Sequence, residues 1–299
     1  MNRVAFYYQT FSGLSPDLRV TDIYISSVHF GTDQDGEKYI HINDDPPDAD
    51  CQRLMWKQTE LFANRGVRIG LMVGGAGGGY AALFSDFDSY YPMLVDCINK
   101  HPWVTGVDLD VEEEVSMENI RMLIRRIRAD FGTHFRISMA PLRYSLATDQ
   151  AGMGGFVYKE LYNTAEGRMI DYFNVQAYDD YSVAGFDQMV SNGYPANQLV
   201  FGMLSAQFNH QTAGEIMETL RRLRLNHPDI GGVFDWELFN ATPSPVRWSE
   251  LMTGLMNPPL LLQLADWASG WFRWLIRTDC CQMIGWILPQ YPQSKEKID

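Results

Sequence analysis

Three acidic side chains stand two residues apart between Gly106 and Glu112, in the run GVDLDVE. The apolar residues between the acids give the alternation of a β-strand, whose side chains point to opposite faces. Asp108, Asp110 and Glu112 are therefore predicted to line one face of a strand. Carboxylates this close repel one another, and burying them is costly unless they share protons and hydrogen bonds. Such an arrangement is typical of acid/base chemistry.

Two other interpretations of the three acids stay open. A solvated edge strand is disfavoured because Val107, Leu109 and Val111 would form an apolar opposite face. A metal site is disfavoured because oxygen ligands usually come from a flexible loop or from several strands. No His or Cys lies near the acids in the sequence, so the run lacks the ligands that zinc prefers.

The composition is that of an acidic globular protein. The chain has 299 residues, which is long enough for one large α/β domain with a full core. It is 46% hydrophobic and 13% aromatic, which excludes a disordered chain. The formal net charge of −13 argues against nucleic acid and anionic membranes as partners, because both require a basic face. A neutral ligand such as a sugar is compatible with this charge.

The cysteines and the first residues favour a reducing compartment. Cys51, Cys97, Cys280 and Cys281 have neither the spacing of a disulfide framework nor that of a zinc site. The first residues lack the long apolar stretch and the small-residue cleavage site of a secretory signal, and they are predicted to begin the first strand at once. We therefore expect a cytoplasmic protein, with secretion after removal of a signal segment as the alternative.

Strand and helix patterns alternate along most of the chain. The strand segments are rich in Val, Ile and Phe and are expected to be buried on both faces, as parallel strands are. Apolar residues at helical spacing predict helices over 48–64, 86–100, 116–130 and 212–225. Residues 43–47, which include two prolines, predict a surface loop. The predicted strands are 3–8, 22–29, 67–73, 104–111, 135–140, 172–178, 199–204 and 232–236.

Eight such units favour an α/β fold of the (β/α)8 TIM-barrel type, as a single domain without a large insertion. Active sites of these barrels lie at the C-terminal ends of the strands. Glu112 follows the fourth predicted strand, and Tyr178 and Trp236 end the sixth and the eighth. The residues that could do chemistry are therefore expected to meet at one end of the barrel.

The C-terminal part of the sequence differs from the rest. Residues 1–256 are predicted to form the barrel domain, and residues 257–299 an apolar, Trp-rich helical extension. Charged residues such as Arg273 interrupt this extension, so it does not have the pattern of a membrane span. Trp267 and Trp271 lie at helical spacing, which predicts either a helix packed on the barrel or a docking surface for a partner or a membrane interface. The oligomeric state is left open.

Three further strand ends carry candidate ligand-binding residues. The glycine-rich run 74–79 matches a dinucleotide fingerprint only loosely, because the match starts beyond the strand, and it is interpreted as a flexible loop. Gln176 and Tyr178 share a face by alternation, and they would hydrogen-bond either a ligand or each other. Trp236 is either a core residue or a flat apolar platform for a sugar ring.

Together these motifs resemble those of glycoside hydrolase family 18, the chitinases and related endo-β-N-acetylglucosaminidases. The run Gly106-x-Asp108-x-Asp110-x-Glu112 resembles that family's signature. The pair Gly74-Gly75, the segment Gln176-Ala177-Tyr178 and Trp236 resemble its other strand-end motifs. The order and spacing over residues 3–255 resemble the short, hevamine-like branch, which has no inserted α+β subdomain.

The sequence also departs from the family pattern. Thr105 stands where the family often has Asp, and Met72 stands where a Ser usually precedes the glycine pair by two residues. Val111 stands where an aromatic residue or Ile is common. None of these changes removes a catalytic group, although Thr105 and Met72 alter the hydrogen bonding of the site. Glu113 and Glu114 add charge directly after the acid.

The resemblance implies a retaining, substrate-assisted mechanism, which is an exception to the two-carboxylate rule for glycosidases. Glu112 would be the general acid, with a pKa raised by the nearby Asp110. The nucleophile would be the substrate's own 2-acetamido oxygen, which closes an oxazolinium ion. Asp110 would orient the acetamido N–H and share a proton with Asp108, and Tyr178 would hydrogen-bond the acetamido oxygen.

The resemblance also implies residues that bind the sugar without reacting. Gln176 would help hold the sugar, and Trp236 would form its floor. Tyr7 and Met139 would line the pocket, and Gly75 would let the ligand approach the backbone. No metal and no organic cofactor is implied.

Three functions follow from these motifs. The first is a chitinase-type hydrolase that cleaves β-1,4-linked N-acetylglucosamine in an oligo- or polysaccharide. The second keeps the chemistry but acts on the chitobiose core of N-glycans. The third is a catalytically inactive chitin-binding lectin, which the presence of Glu112 disfavours because binding-only members of the family usually lack this acid.

Overall fold

In the part of the chain that the structure describes, eight β-strands surround an inner core, a ninth extends one of them as a hairpin, and helices cover the outside. The structure is a computed structural model that describes residues 1–258. The predicted extension over 257–299 therefore lies outside the described residues, apart from its first two positions. The strands are β1 (Arg3–Tyr8), β2 (Asp22–Thr32), β3 (Lys38–Ile42), β4 (Arg68–Gly74), β5 (Val104–Asp110), β6 (Arg136–Met139), β7 (Tyr172–Gln176), β8 (Leu199–Leu204) and β9 (Gly232–Trp236).

Eight of the strands close into a parallel barrel. The order of pairing is β1-β9-β8-β7-β6-β5-β4-β2, and β1 also pairs with β2, which closes the ring. The predicted (β/α)8 barrel is therefore confirmed, and each of the eight predicted strands is present. The helices of the described residues are α1 (Arg53–Ala63), α2 (Tyr80–Ser85), α3 (Phe87–Lys100), α4 (Met117–Phe131), α5 (Arg143–Ala147), α6 (Tyr158–Tyr162), α7 (Val183–Ser191), α8 (Ala213–Asn226) and α9 (Pro245–Met256).

The first third of the barrel departs from a regular alternation of strand and helix. β3, which pattern analysis missed, runs antiparallel to the outer end of β2 and forms a hairpin. This hairpin occupies part of the connection that precedes the surface loop predicted at 43–47. Within the described residues, no helix joins β1 to β2.

Helix α4 shows how local sequence sets the elements around the site. Ser116 caps its first turn, since the Ser116 side chain accepts a hydrogen bond from the Asn119 backbone N–H. Its buried face consists of Ile120, Leu123, Ile124 and Ile127, at helical spacing. The helix therefore begins shortly after the acidic run, and its buried face lies in the apolar layer outside the barrel.

The alternation of β5 separates two layers of core. Val107 and Leu109 point outward into the apolar layer between strands and helices. Asp108 and Asp110 point into the barrel, where the inner layer consists of Ala5, Tyr7, Tyr24, Met72, Tyr172, Val200 and Phe234. The fold therefore buries two carboxyl groups inside the barrel. No helix over residues 1–258 is long and apolar enough to cross a membrane.

Candidate active site

The three acids of the β5 run lie at increasing height along the barrel. Asp108 is fully buried, Asp110 is 4% exposed, and Glu112 lies partly buried just beyond the end of the strand. Since the strand is parallel to its neighbours, this end is the C-terminal mouth of the barrel. The three carboxyl groups therefore form a column that leads from the inner core to the surface.

Asp108 is the most deeply placed of the three acids and is surrounded by neutral donors. Its Oδ2 accepts a hydrogen bond from the Tyr7 hydroxyl at 2.6 Å. Its Oδ1 accepts hydrogen bonds from Ser138 Oγ at 2.6 Å and from Asn174 Nδ2 at 3.0 Å. Burial raises the pKa of Asp108 to about 6, although these hydrogen bonds favour the ionised form and oppose the shift.

Asp110 interacts with Glu112 above it. Burial, followed by repulsion from Glu112, raises the pKa of Asp110 well above its ordinary value, and hydrogen bonding to Glu112 adds to the shift. Among the described residues no hydrogen bond joins Asp110 to Asp108, and the hydrogen bond of Asp110 to Glu112 links the two upper acids of the column. The Gln176 amide donates to Asp110 Oδ1 at 3.1 Å and has Glu112 Oε1 at 3.5 Å, which holds the pair together.

Gly75 brings the loop after β4 against the acids. Its N–H donates to the backbone oxygen of Asp110 at 2.9 Å, and its φ of +88° is one that glycine adopts readily. A Cβ at Gly75 would lie 2.7 Å from Cε of Met72. The glycine therefore lets this loop sit beside Asp110 with Met72 beneath it.

A cavity of about 160 Å³ opens above the acids at the mouth of the barrel. The Trp236 ring contributes an apolar wall and lies 5.2 Å from the Tyr7 ring, centroid to centroid. Burial, followed by repulsion from Asp110, raises the pKa of Tyr178 well above its ordinary value, so its hydroxyl is a neutral donor. The cavity is lined by Tyr7, Met72, Ala76, Asp110, Glu112, Ala140, Gln176, Tyr178, Leu204 and Trp236.

The structure corrects the prediction for Met139. Its side chain is fully buried in the outer apolar layer and does not line the cavity. The neighbouring Ser138 points inward to Asp108, and Ala140 lines the cavity instead. Met139 therefore has the opposite orientation, because successive side chains of a strand alternate between faces.

Sequence reasoning also missed several residues that support the site. Ser138 was not identified as a partner of Asp108, although it lies in a strand that reaches the mouth. Asn174, which lies two residues before Gln176 and so on the same inward face of β7, donates to Asp108. Glu113, noted only as extra charge, accepts a hydrogen bond from the Tyr80 N–H at 2.5 Å and so caps the start of α2.

A second depression lies at the opposite end of the barrel and has a volume of about 480 Å³. Asp17, Arg65 and Glu250 are among the residues that line it, and none of its acidic residues is buried. Over the described part of the chain, no group of three His, Cys, Asp or Glu side chains is arranged to hold a metal ion. The buried acids and the Tyr178 hydroxyl therefore single out the smaller cavity at the C-terminal mouth.

Comparison with known proteins identifies the family of this barrel. No family model and no curated protein matches the sequence. Among solved structures, a chitinase from Pseudoalteromonas aurantia matches 85% of this chain and 100% of its own with a TM-score of 0.61, and at 18% identity it shows the fold alone. A chitinase from Aspergillus fumigatus is 30% identical over 86% of this chain and 100% of its own, with a TM-score of 0.73.

The same search finds a fungal endo-β-N-acetylglucosaminidase from glycosyl hydrolase family 18. It is 30% identical over 87% of this chain and 100% of its own, with a TM-score of 0.77. The chain belongs to glycoside hydrolase family 18.

Proposed function

We propose that this protein is a chitinase-type hydrolase that cleaves β-1,4-linked N-acetylglucosamine with retention of the anomeric configuration. The observation that carries the proposal is the position of the acids that line the cavity. Of the described residues that line it, Asp110 and Glu112 are the carboxyl groups, and they come from one strand and interact with each other. Two adjacent acids cannot flank a sugar ring from opposite sides.

This arrangement supports a nucleophile supplied by the substrate. Glycosidases that use two carboxylates separate them by about 5 Å for retention or more for inversion, so that each can act from its own side of the bond. A substrate whose sugar carries a 2-acetamido group brings its own carbonyl oxygen to the anomeric carbon. The substrate class that fits the cavity chemistry is therefore an N-acetylhexosaminide.

Glu112 is the proton donor in this mechanism. It is the more exposed member of the pair, at the rim of the cavity, where a glycosidic oxygen can reach it. As the acetamido oxygen attacks C1, the bond to the leaving oxygen breaks and that oxygen takes the proton of Glu112. Water then opens the oxazolinium ion at C1 and gives its proton back to Glu112, which leaves the β-anomer.

Asp110 and Tyr178 hold the acetamido group in line for this attack. Once the proton lies on Glu112, the Asp110 carboxylate accepts the acetamido N–H and offsets the positive charge of the oxazolinium ion. Within the described residues, the Tyr178 hydroxyl has no hydrogen-bond partner, so it is free to donate to the acetamido oxygen. Orientation of this kind contributes several kcal/mol when the reacting atoms are aligned, on the order of 7–11 kcal/mol at most.

The remaining wall residues support sugar binding. Trp236 offers an apolar surface to the pyranose ring, and Gln176 positions both acids through its amide. Asp108 lies beneath the pair and carries negative charge above a pH of about 6, where its pKa lies, which favours the protonated pair above it. Tyr7 keeps Asp108 in place.

A second candidate function is cleavage of the chitobiose core of N-glycans. The observation in its favour is the 30% identity to an endo-β-N-acetylglucosaminidase over 87% of this chain. The linkage and the acetamido group are the same in both substrates, so the same residues would act. The difference lies in what surrounds the disaccharide.

One experiment tests both functions. The protein is incubated with chitotetraose and, separately, with a high-mannose glycoprotein, and early products are analysed by mass and by the anomeric form of the new reducing end. We expect β-anomer products from chitotetraose with the wild type and none with Glu112→Gln. Glu114→Gln is the matched control, because Glu114 is an exposed acid two residues away that does not line the cavity.

The outcomes separate the candidates. Glycan release from the glycoprotein with chitotetraose left intact would favour the endoglycosidase. Initial α-anomer products would refute the substrate-assisted mechanism. Equal binding of chitotetraose by wild type and Glu112→Gln, with no cleavage by either at any pH, would identify a lectin.

A further inference from the structure

A buried acid outside the cavity connects two of its walls. Asp235 lies in β9, is fully buried, and does not line the cavity. Ser205 Oγ lies 2.6 Å from its Oδ1 and 2.8 Å from the backbone oxygen of Glu237. Asp235 Oδ2 has no hydrogen-bond partner among the described residues.

The protons of this group can be counted. The Ser205 hydroxyl has one hydrogen, yet it contacts two oxygen atoms at hydrogen-bonding distance. The Glu237 carbonyl cannot donate, so two separate, well-aligned hydrogen bonds at these distances require a second proton, which Asp235 can carry. A neutral Asp235 donates to Ser205, and Ser205 donates to the Glu237 carbonyl. Oδ2 is then the carbonyl oxygen of an uncharged acid, for which a missing partner costs less than it would for a carboxylate.

The relay from Asp235 through Ser205 to Glu237 joins the ends of two strands that form the cavity. Leu204 precedes Ser205, Trp236 precedes Glu237, and both Leu204 and Trp236 line the cavity. The two are also register partners at the ends of β8 and β9. Fixing Ser205 against the Glu237 backbone therefore fixes the spacing of these two walls.

We propose that Asp235 is a positioning residue, which acts as a neutral acid to hold Trp236 and Leu204 in the sugar-binding arrangement. The inference rests on the proposed function, since it concerns the wall that binds the sugar. Ionisation of Asp235 takes away the proton of the relay and returns the Ser205 hydroxyl to Asp235. The Glu237 carbonyl then loses its hydrogen-bond donor, and the ends of β8 and β9 that carry Leu204 and Trp236 are no longer held together by Ser205.

The surroundings of Asp235 support the neutral form. Burial raises the pKa of Asp235 to about 8, and repulsion by Glu237 acts in the same direction, whereas hydrogen bonding between an ionised Asp235 and Ser205 would lower the pKa. Within residues 1–258, the titratable groups that interact with it are Tyr178, Tyr181 and Glu237. None of them is a cation that would stabilise a carboxylate. The Glu237 carboxylate is itself engaged by the Gln9 and Thr10 N–H groups and by the Thr10 hydroxyl.

Binding of chitotetraose as a function of pH tests the proposal. Glu112→Gln prevents hydrolysis, and its dissociation constant is measured by calorimetry at pH 7, 8 and 9. If only the neutral form binds, the constant rises up to about tenfold between pH 7 and pH 9, because the competent fraction falls by that factor. In the double variant Glu112→Gln/Asp235→Asn, the Asn amide donates to Ser205 at every pH. We expect the rise in the dissociation constant to be less than twofold in this variant. In the double variant Glu112→Gln/Ser205→Ala, the hydrogen bonds from Asp235 to Ser205 and from Ser205 to Glu237 are lost. We expect this variant to bind chitotetraose more weakly already at pH 7.

The controls separate a positioning role from a loss of structure or of function. Far-UV circular dichroism at each pH verifies that the variants stay folded. An equal rise with and without Asp235→Asn, or no rise in either, would overturn the proposal. A second readout needs no sugar: the infrared difference spectrum of wild type minus Asp235→Asn should show the band of a protonated carboxyl group below about pH 8 and lose it above that pH. Absence of chitotetraose binding at every pH would refute the proposed function and the positioning role together, whereas the infrared band would still decide whether Asp235 is neutral.

Discussion

Replacing Asp235 by Asn should change how the stability of the protein depends on pH. The acid is fully buried, and burial raises its pKa to about 8. In the unfolded chain its pKa returns to about 4, the ordinary value for Asp. The folded state therefore binds one more proton than the unfolded state between about pH 4 and pH 8. By linkage, the free energy of unfolding falls as the pH rises through this window.

The magnitude follows from the width of the window. Within this window the free energy of unfolding falls by about 1.4 kcal/mol per pH unit. At pH 7 the wild type is therefore about 4 kcal/mol less stable than at pH 4 through this residue alone. The Asn amide does not titrate and loses nothing over the same range. Its second N–H lacks a partner, which costs about 1–3 kcal/mol at every pH. Wild type should therefore be the more stable protein below about pH 5, and Asp235→Asn the more stable one above about pH 6.

Urea unfolding at each pH from 4 to 9, followed by circular dichroism, measures the difference between the two proteins. All other titrating groups are common to both and cancel. Asp35→Asn is the matched control, since Asp35 is an exposed acid, and its difference from wild type should be flat. If the difference between wild type and Asp235→Asn is also flat within about 0.5 kcal/mol, the reasoning is refuted, because Asp235 would then be ionised in the folded protein.

Three further predictions concern the site and its supporting helix. Tyr178→Phe should lower kcat on chitotetraose by about 10²-fold with little change in KM, because the lost donor acts mainly in the transition state; an unchanged kcat would contradict its role. Asp108→Asn removes the negative charge beneath Asp110, so the alkaline limb of the kcat/KM profile should move to lower pH; a shift to higher pH would contradict this. Ser116→Ala removes the cap of α4 and should cost about 1 kcal/mol in urea unfolding, with kcat/KM unchanged as the check that the acids are undisturbed.

Much of the barrel could be predicted because its strands are apolar runs separated by helical periodicity. The eight strands and the cap at Ser116 needed no tertiary information. β3 escaped prediction because it is a hairpin partner outside the barrel ring, and its residues KYIHI have no regular polar–apolar alternation and only one fully buried member, Ile42. Its pairing with the outer end of β2 depends on a long-range register that local pattern does not contain.

The orientation of side chains was the least predictable feature of the site. In β5 the acids themselves mark the inward face, so the placement of Asp108 and Asp110 followed from alternation alone. In β6 nearly every residue is buried, because a barrel strand is covered on both sides, and hydrophobicity does not tell which face is inward. Met139 was therefore assigned to the cavity from the family resemblance alone, with nothing in the local pattern to correct it, and Ser138 and Ala140 were overlooked.

Alternation of acids also cannot by itself distinguish catalytic from structural carboxyl groups. Asp235 and Glu237 alternate around Trp236 in the same way as Asp108 and Asp110 alternate around Leu109. The acids differ in what offsets the free-energy cost of removing a carboxyl group from water. Glu237 accepts three hydrogen bonds from the connection after β1, and Asp235 keeps its own proton.

For Asp110 the cost of burial is offset through its interaction with Glu112, and this interaction bears on proton transfer at the site. Asp110 hydrogen-bonds Glu112, an acid that lines the cavity and is accessible to a ligand, and both burial and Glu112 raise the pKa of Asp110. A proton that two carboxyl groups share can move from one to the other at little cost, whereas the protons around Asp108 belong to hydroxyl and amide donors that hold them firmly. In the proposed mechanism, a ligand that binds the Asp110 carboxylate therefore drives the proton to Glu112, so that substrate binding itself prepares the general acid.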